Sequence, residues 1–255
     1  MERTLPSREG FTGRTAIVTG AAGTLGGEVA RHLAAAGARV LAVDFDERAL
    51  QRLVEDCRST GLEITAHVAD VRDPVAVEAY VAAAGKLGGG GVDLFFNNAG
   101  IEGKVARIEE LDIDDLRRVF DVNVVGVALG LKHVLPAMEA GGAIVNTAST
   151  AALQGSPGVA SYIASKHAVL GLTRTASLEA VARGVRVNAI CPGPIGGRMM
   201  ESLDNQRLDV LGVAAAPGVG RTYSSPADVA AVVLFLLSDA AVLVNGQAIV
   251  AETSA

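Results

Sequence analysis

Tyr162 and Lys166 lie four residues apart in Tyr162-Ile163-Ala164-Ser165-Lys166, a spacing that puts both side chains on one face of a helix. A free phenol holds its proton to about pH 10 and is a poor base at neutrality. A cation held beside it favours phenolate and lowers that value. Such a tyrosine takes a proton from an alcohol, or returns one to a developing alkoxide. The same pair also arises by chance on exposed helices, so the rest of the chain has to supply the other parts of a reaction site.

A second group of residues suits a dinucleotide. Residues 15–19 form a short apolar run that reads as a buried strand. Gly20-Ala21-Ala22-Gly23-Thr24-Leu25-Gly26-Gly27 follows, then an alanine-rich helical stretch to Ala36. Gly37 ends that helix, and residues 39–43 read as a second strand closed by Asp44. Strand, glycine-rich turn, helix, strand and acid is the order of a dinucleotide-binding unit. Glycines let backbone approach a pyrophosphate, and the helix N-terminus favours its charge. Asp44 is placed to accept hydrogen bonds from both hydroxyls of an adenosine ribose. It would repel the 2′-phosphate of NADP, so NAD is the expected cofactor. Its neighbours Val43, Phe45 and Asp46 supply no cation, nor does the turn from Gly20 to Gly27; Arg39 and Arg48 are the only nearby candidates. The competing readings are an ordinary tight turn for the glycines and a helix cap for Asp44, since aspartate is a favoured N-cap.

The alternation continues along the chain. Helices are expected over 47–59, 74–87, 112–138 (as one helix or a pair), 161–183 and 226–237. Strands are expected over 63–67, 92–96, 143–147, 186–190 and 247–250. Residues 195–225 show little periodicity and hold several glycines, as a mobile substrate lid would. Repeated β-α units imply a single-domain α/β fold over 1–255: a doubly wound, parallel, seven-stranded sheet with helices on both faces, preceded by an N-terminal extension over 1–12. Ligands of such sheets sit at the carboxyl ends of the strands.

The composition of the 255 residues narrows the alternatives. Net charge is −6 with no basic block, which argues against nucleic acid as a partner. The longest apolar run, 229–237, is too short to span a bilayer, and no secretory leader is visible in the first ten residues, so a cytoplasmic protein without a membrane partner is expected. Cys57 and Cys191, far apart, read as reduced thiols. His32, His67, His133 and His167 have no metal-ligand spacing, and no metal is expected.

Taken together, Thr19-Gly20 with Gly26, Asp70-Val71, Asn97-Asn98-Ala99-Gly100, Asn123, Ser149, Tyr162, Lys166 and Pro192-Gly193 resemble the short-chain dehydrogenase/reductase family in order and spacing. The resemblance covers nearly the whole chain. It implies a catalytic tetrad of Asn123, Ser149, Tyr162 and Lys166. Tyr162 is then the acid/base, and Lys166 lowers its pKa and holds the nicotinamide ribose. Ser149 binds the substrate oxygen, and Asn123 helps position a water linking Lys166 to solvent. Cofactor contacts are implied for Gly20, Gly23, Thr24, Leu25, Gly26, Asp44, Phe45, Asp70, Val71, Asn98, Ala99, Gly100, Tyr162, Lys166, Pro192, Gly193 and Ile195. Substrate contacts are implied for Ser149, Tyr162, Glu102, Gln154, Met199 and Met200, with Gly155 and Val159 nearby. A homo-oligomer follows by the same resemblance, a tetramer with a dimer as the alternative.

Three positions depart from the family pattern. Thr24 replaces the usual middle glycine of the turn, and Gly197 stands where many relatives carry a threonine that holds the nicotinamide carboxamide. The last strand lacks the usual terminal aspartate-glycine-glycine. The expected activity is hydride transfer between NAD(H) and a secondary alcohol or ketone, cyclic and mostly apolar. The competing functions are a silent NAD-binding sensor or scaffold, and an isomerase or dehydratase that oxidises its substrate transiently.

Overall fold

A computed structural model describes residues 8–212 and 223–252. Strands β1 (Thr15–Thr19), β2 (Arg39–Asp44), β3 (Ile64–Val68), β4 (Val92–Asn97), β5 (Met138–Thr147), β6 (Arg186–Pro192) and β7 (Ala248–Ala251) form one sheet in the order β3-β2-β1-β4-β5-β6-β7. Every neighbouring pair is parallel. Strand order reverses between β1 and β4, which opens a crevice at their carboxyl ends. The doubly wound single domain read from the β-α alternation is the fold observed.

Parallel strands buried on both faces need apolar residues at successive positions, and side chains alternate between the faces. Ala16 and Val18 of β1 enter one core with Leu94 and Phe96 of β4. Ile17 and Phe95 enter the other. Helices α1 (Thr24–Ala35), α2 (Glu47–Ser59) and α8 (Pro226–Leu237) cover the first face through Val29, Leu33, Leu50, Leu53, Val233 and Leu236. Helices α3 (Pro74–Gly88), α5 (Gly126–Ala137) and α6 (Ala160–Ala180) cover the second through Val77, Tyr80, Leu131, Val134, Val169 and Leu170. Burial of each such side chain is worth about 1.5–3 kcal/mol. Phe11 is wholly buried in the first core. Of the expected extension over 1–12, residues 1–7 lie outside the described residues, and Phe11 belongs to the domain itself.

The apolar stretch 112–138 divides. Helix α4 (Ile113–Phe120) is capped by Asp112, passes through a π-helical turn (Asp121–Val125) and continues as α5. By length and composition Ile113–Ala137 is apolar enough to cross a membrane. Val127, Leu131 and Val134 nevertheless pack into the second core, so that stripe is spent on the sheet. Strand β5 begins at Met138, where the helix was expected to end.

The segment expected to be an irregular lid holds a fourteen-residue helix, α7 (Arg198–Leu211), ended by Gly212 in the left-handed conformation. Its inward stripe reads Met200, Leu203, Arg207, Leu211. Arg207 is buried and donates to Ser156 Oγ. A charged residue in the apolar stripe hides the helical period from the sequence. Residues 213–222 of the expected lid lie outside the described residues.

Candidate active site

The glycine-rich turn sits at the end of β1, inside the crevice. Gly20 adopts φ +65°, and a Cβ there would lie 2.9 Å from Ala99 Cα. A Cβ at Gly26 would collide with the Gly20 carbonyl. These glycines let α1 start directly against β1 and β4. Asp46, Asp73 and Asp112 cap α2, α3 and α4, each accepting from backbone N–H groups. Helix α1 instead begins after Gly23, with no side-chain cap. Its first N–H groups therefore face the crevice without a side-chain acceptor. A diphosphate is the kind of ligand that satisfies them, so the cradle fits a dinucleotide.

Asp44 ends β2 beside this turn. Its carboxylate accepts from Ala22 N at 3.0 Å and from Asp46 N at 3.0 Å. The cap of α2 is Asp46, which accepts from Ala49 N. Asp44 is thus not the cap that sequence alone allowed; its carboxylate instead ties the end of β2 to the glycine-rich turn. Phe45 is largely exposed next to it. Asp70 is held by the guanidinium of Arg72, whose Nε and Nη2 donate to its carboxylate, and that ion pair keeps its pKa below the usual carboxylate range. Val71 is buried against Gly126 at the start of α5.

Asn98, just past β4, ties three strand ends together. Its Nδ2 donates to Thr19 O and its Oδ1 accepts from Thr147 Oγ1, while its own N–H donates to Thr19 Oγ1. Ala99 N–H donates to the same hydroxyl. Asn123 sits in the π-helical turn and is fully buried. Its Oδ1 accepts from Ile101 N at 2.8 Å, and its Nδ2 donates to Ile101 O and to Ser165 Oγ. π-helical turns of this kind occur often at functional sites. Here the turn swings one amide across to the loop after β4. A Cβ on Gly100 would lie 3.1 Å from Asn123 Oδ1 and 3.5 Å from Lys166 Nζ, so these three positions back onto one another.

Lys166 is almost completely buried, and its Nζ donates to Thr147 O at 2.7 Å. Burial pushes its pKa down to about 8. The ammonium lies 5.6 Å from the Tyr162 ring centroid. Ser149 has extended backbone and accepts from Ala151 N. Tyr162 sits on the first turn of α6, with the Ser149 hydroxyl acting on its phenol. The sequence led us to expect a phenol acidified by its lysine. Its pKa is raised instead: desolvation comes first, the Ser149 hydroxyl opposes it, and the Glu102 carboxylate adds to it. The physical reason is that burial also pushes Lys166 down to about 8, so it has lost its charge before the raised phenol titrates and does not offset the desolvation.

A small apolar cluster lies against Tyr162. Val105, Val159 and Leu203 are buried, with Tyr162, Ile163, Met200 and Leu211 packed against them. Met200 and Tyr162 thus border the same cluster, whereas Met199 is 37% exposed. Glu102 is half-buried, and Gln154 and Gly155 are exposed on the loop after β5. Pro192 and Gly193 end β6, and Ile195 pairs with Ser224 beyond it. Thr147, Ser165, Val105 and Leu203 were missed by sequence reasoning. Thr147 and Ser165 act through a carbonyl and a hydroxyl that carry no spacing signal. Leu203 lies on the helix whose period Arg207 hides. No cluster of three or more metal-binding side chains occurs among the described residues.

Comparisons with known proteins agree with this arrangement. A family model described as enoyl-(acyl carrier protein) reductase matches residues 20–253. Cyclohexanol dehydrogenase of Acinetobacter sp. (strain SE19) is 38% identical over 99% of this chain and 98% of its own. Levodione reductase of Leifsonia aquatica is 39% identical over 94% of this chain and 92% of its own. The chain belongs to the short-chain dehydrogenase/reductase family. Among solved structures, NAD+-bound xylitol dehydrogenase aligns with TM-score 0.86 at 32% identity, over 94% of this chain and 98% of that one. A short chain dehydrogenase from Burkholderia cenocepacia J2315 in complex with NADP aligns with TM-score 0.83 at 29% identity, over 95% and 98%. This short-chain dehydrogenase/reductase is accordingly an oxidoreductase with a nicotinamide-cofactor site. In such enzymes the cofactor carries the hydride, and the protein supplies orientation and electrostatics.

Proposed function

We propose that the protein is an NAD-dependent alcohol dehydrogenase/ketoreductase acting on a cyclic, mostly apolar secondary alcohol or ketone. The observation that carries this reading is the meeting of Tyr162, Ser149 and buried Lys166 beside an uncapped glycine-rich cradle. Ser149 holds the substrate oxygen and stabilises charge developing on it. Tyr162 moves the proton at that oxygen, as base in oxidation and acid in reduction. Lys166 holds the nicotinamide ribose and, once phenolate forms, stabilises it. Asn123 fixes the loop behind Lys166. NAD, when bound, supplies the hydride acceptor. Asp44 supports NAD over NADP. The apolar wall of Val105, Val159, Leu203 and Met200 supports a carbon-rich substrate, and the names of the two relatives support a cyclic one.

The test is a panel of cyclic secondary alcohols with NAD, and the matching ketones with NADH, followed by NADH absorbance. Turnover of several members at rates well above linear diols is the expected result. Cofactor binding without any absorbance change across the panel would leave a sensor or transient-oxidation role instead.

Assembly as a homotetramer is part of the same proposal. Leu178 and Val181 at the end of α6, and Leu243 before β7, are large apolar side chains left exposed. Light scattering at micromolar concentration should give four chains per particle; a monomer would refute it. A cytoplasmic setting is supported by Cys57 and Cys191, both free and buried.

A further inference from the structure

Thr24 and Gly197, far apart in sequence, meet across the mouth of the cradle. Thr24 is the first residue of α1 and is exposed. Its hydroxyl makes no hydrogen bond among the described residues. Gly197 precedes α7 with φ +139° and ψ −179°. A Cβ on Gly197 would lie 2.7 Å from Thr24 Oγ1 and 3.6 Å from Thr24 Cγ2. The threonine side chain thus fills the space that any side chain at 197 would need.

We propose that Thr24 is a cofactor-positioning residue whose hydroxyl donates to the diphosphate, and that Gly197 is bare because Thr24 occupies its side-chain space. Three observations converge on this. The hydroxyl sits on the first turn of α1, which starts after the glycine-rich turn without a side-chain cap, where anionic oxygens are favoured. It has no competing partner among the described residues. The residue facing it is a glycine held in a conformation that side-chain-bearing residues rarely adopt. Through this pair the diphosphate cradle also touches the start of α7, the helix that supplies Met200 and Leu203 to the substrate wall. The proposal rests on the cofactor reading above.

The test measures dissociation constants by calorimetry, so it does not depend on turnover. NADH and ADP-ribose, which lacks the nicotinamide, are titrated into wild type, Thr24→Val, Thr24→Ala, Gly197→Ala and the Thr24→Ala/Gly197→Ala double variant. Thr24→Val keeps the shape and removes the donor. It should weaken both ligands by a similar factor, about tenfold for a hydrogen bond to a charged acceptor. Gly197→Ala should weaken NADH by about tenfold in wild type and by about twofold in the Thr24→Ala background. The backbone strain at 197 is common to both backgrounds and cancels in this cycle. Unchanged affinity in Thr24→Val overturns the proposal. A loss confined to NADH also overturns it, by moving the hydroxyl to the nicotinamide half. Additive effects in the cycle overturn the steric pairing. If Gly197→Ala fails to fold, Thr24→Val alone decides. A wild type that binds neither NADH nor NADPH removes the cofactor reading itself, an outcome distinct from all of these.

Discussion

Tyr162→Phe should lower kcat/KM for alcohol oxidation by roughly 10²–10⁴-fold, the range that a positioned acid/base contributes. The ring keeps its packing against the cluster of Val105, Val159 and Leu203, and only the hydroxyl is lost. Cofactor affinity should therefore remain within about twofold of wild type, because kcat falls without a loss of ground-state binding. The pH profiles carry a sign that a structural role would not produce. The folded pKa of Tyr162 lies above its ordinary value because burial disfavours phenolate, with Ser149 opposing and Glu102 adding to the shift. Oxidation needs the deprotonated phenol, so in wild type it should rise with pH toward that raised value. Reduction needs the protonated phenol, so it should stay flat through neutrality and decline only above it. The groups facing the hydroxyl are Ser149, Glu102 and, behind the ring, Lys166, whose own pKa of about 8 adds a second inflection. Initial rates in both directions from pH 6 to 10 test this. Near-normal turnover in Tyr162→Phe would remove the residue from the mechanism.

Wild type should prefer NAD to NADP by at least about a hundredfold in kcat/KM, and Asp44→Ala should shrink that ratio about tenfold or more. Two like charges about 4 Å apart repel by about 4 kcal/mol at an effective dielectric of 20, and solvent screening leaves part of this. A 2′-phosphate brings −1.5 to −2 charges near pH 7, so the carboxylate would face more than one. Asp46, not Asp44, serves the N-cap of α2, so Asp44→Ala leaves that helix start in place. It does remove the acceptor for Ala22 N and Asp46 N. Some loss of NAD affinity should therefore accompany the gain toward NADP. Comparing kcat/KM for both cofactors in both proteins separates these effects. A wild type that uses NADP as well as NAD would sink the assignment.

Much of this protein is written locally. Apolar runs bounded by glycine, proline and aspartate set the strands and helices, because turn chemistry and side-chain period act over a few residues. The boundaries read from them fall within a residue or two for β1, β2, β4, α2 and α3. Tyr162 and Lys166 could be paired from sequence for the same reason: four residues on a helix fix a face. Tertiary structure decided the rest. Helix α7 escaped notice because Arg207 fills a buried place in its stripe and finds Ser156, a partner that the sequence leaves far away. Asp44 could be read as the cap of α2 until the turn after β1 claimed it through Ala22 N and Asp46 took the cap. The Tyr162 phenol was expected to be acidified, yet desolvation wins, because burial also lowers Lys166 to about 8 and takes its charge away before the phenol titrates. Thr24 and Gly197 read separately as two departures from a family pattern, and only the fold sets one against the other. Period and turn type are properties of neighbours along the chain; burial, charge and collision are properties of neighbours in space.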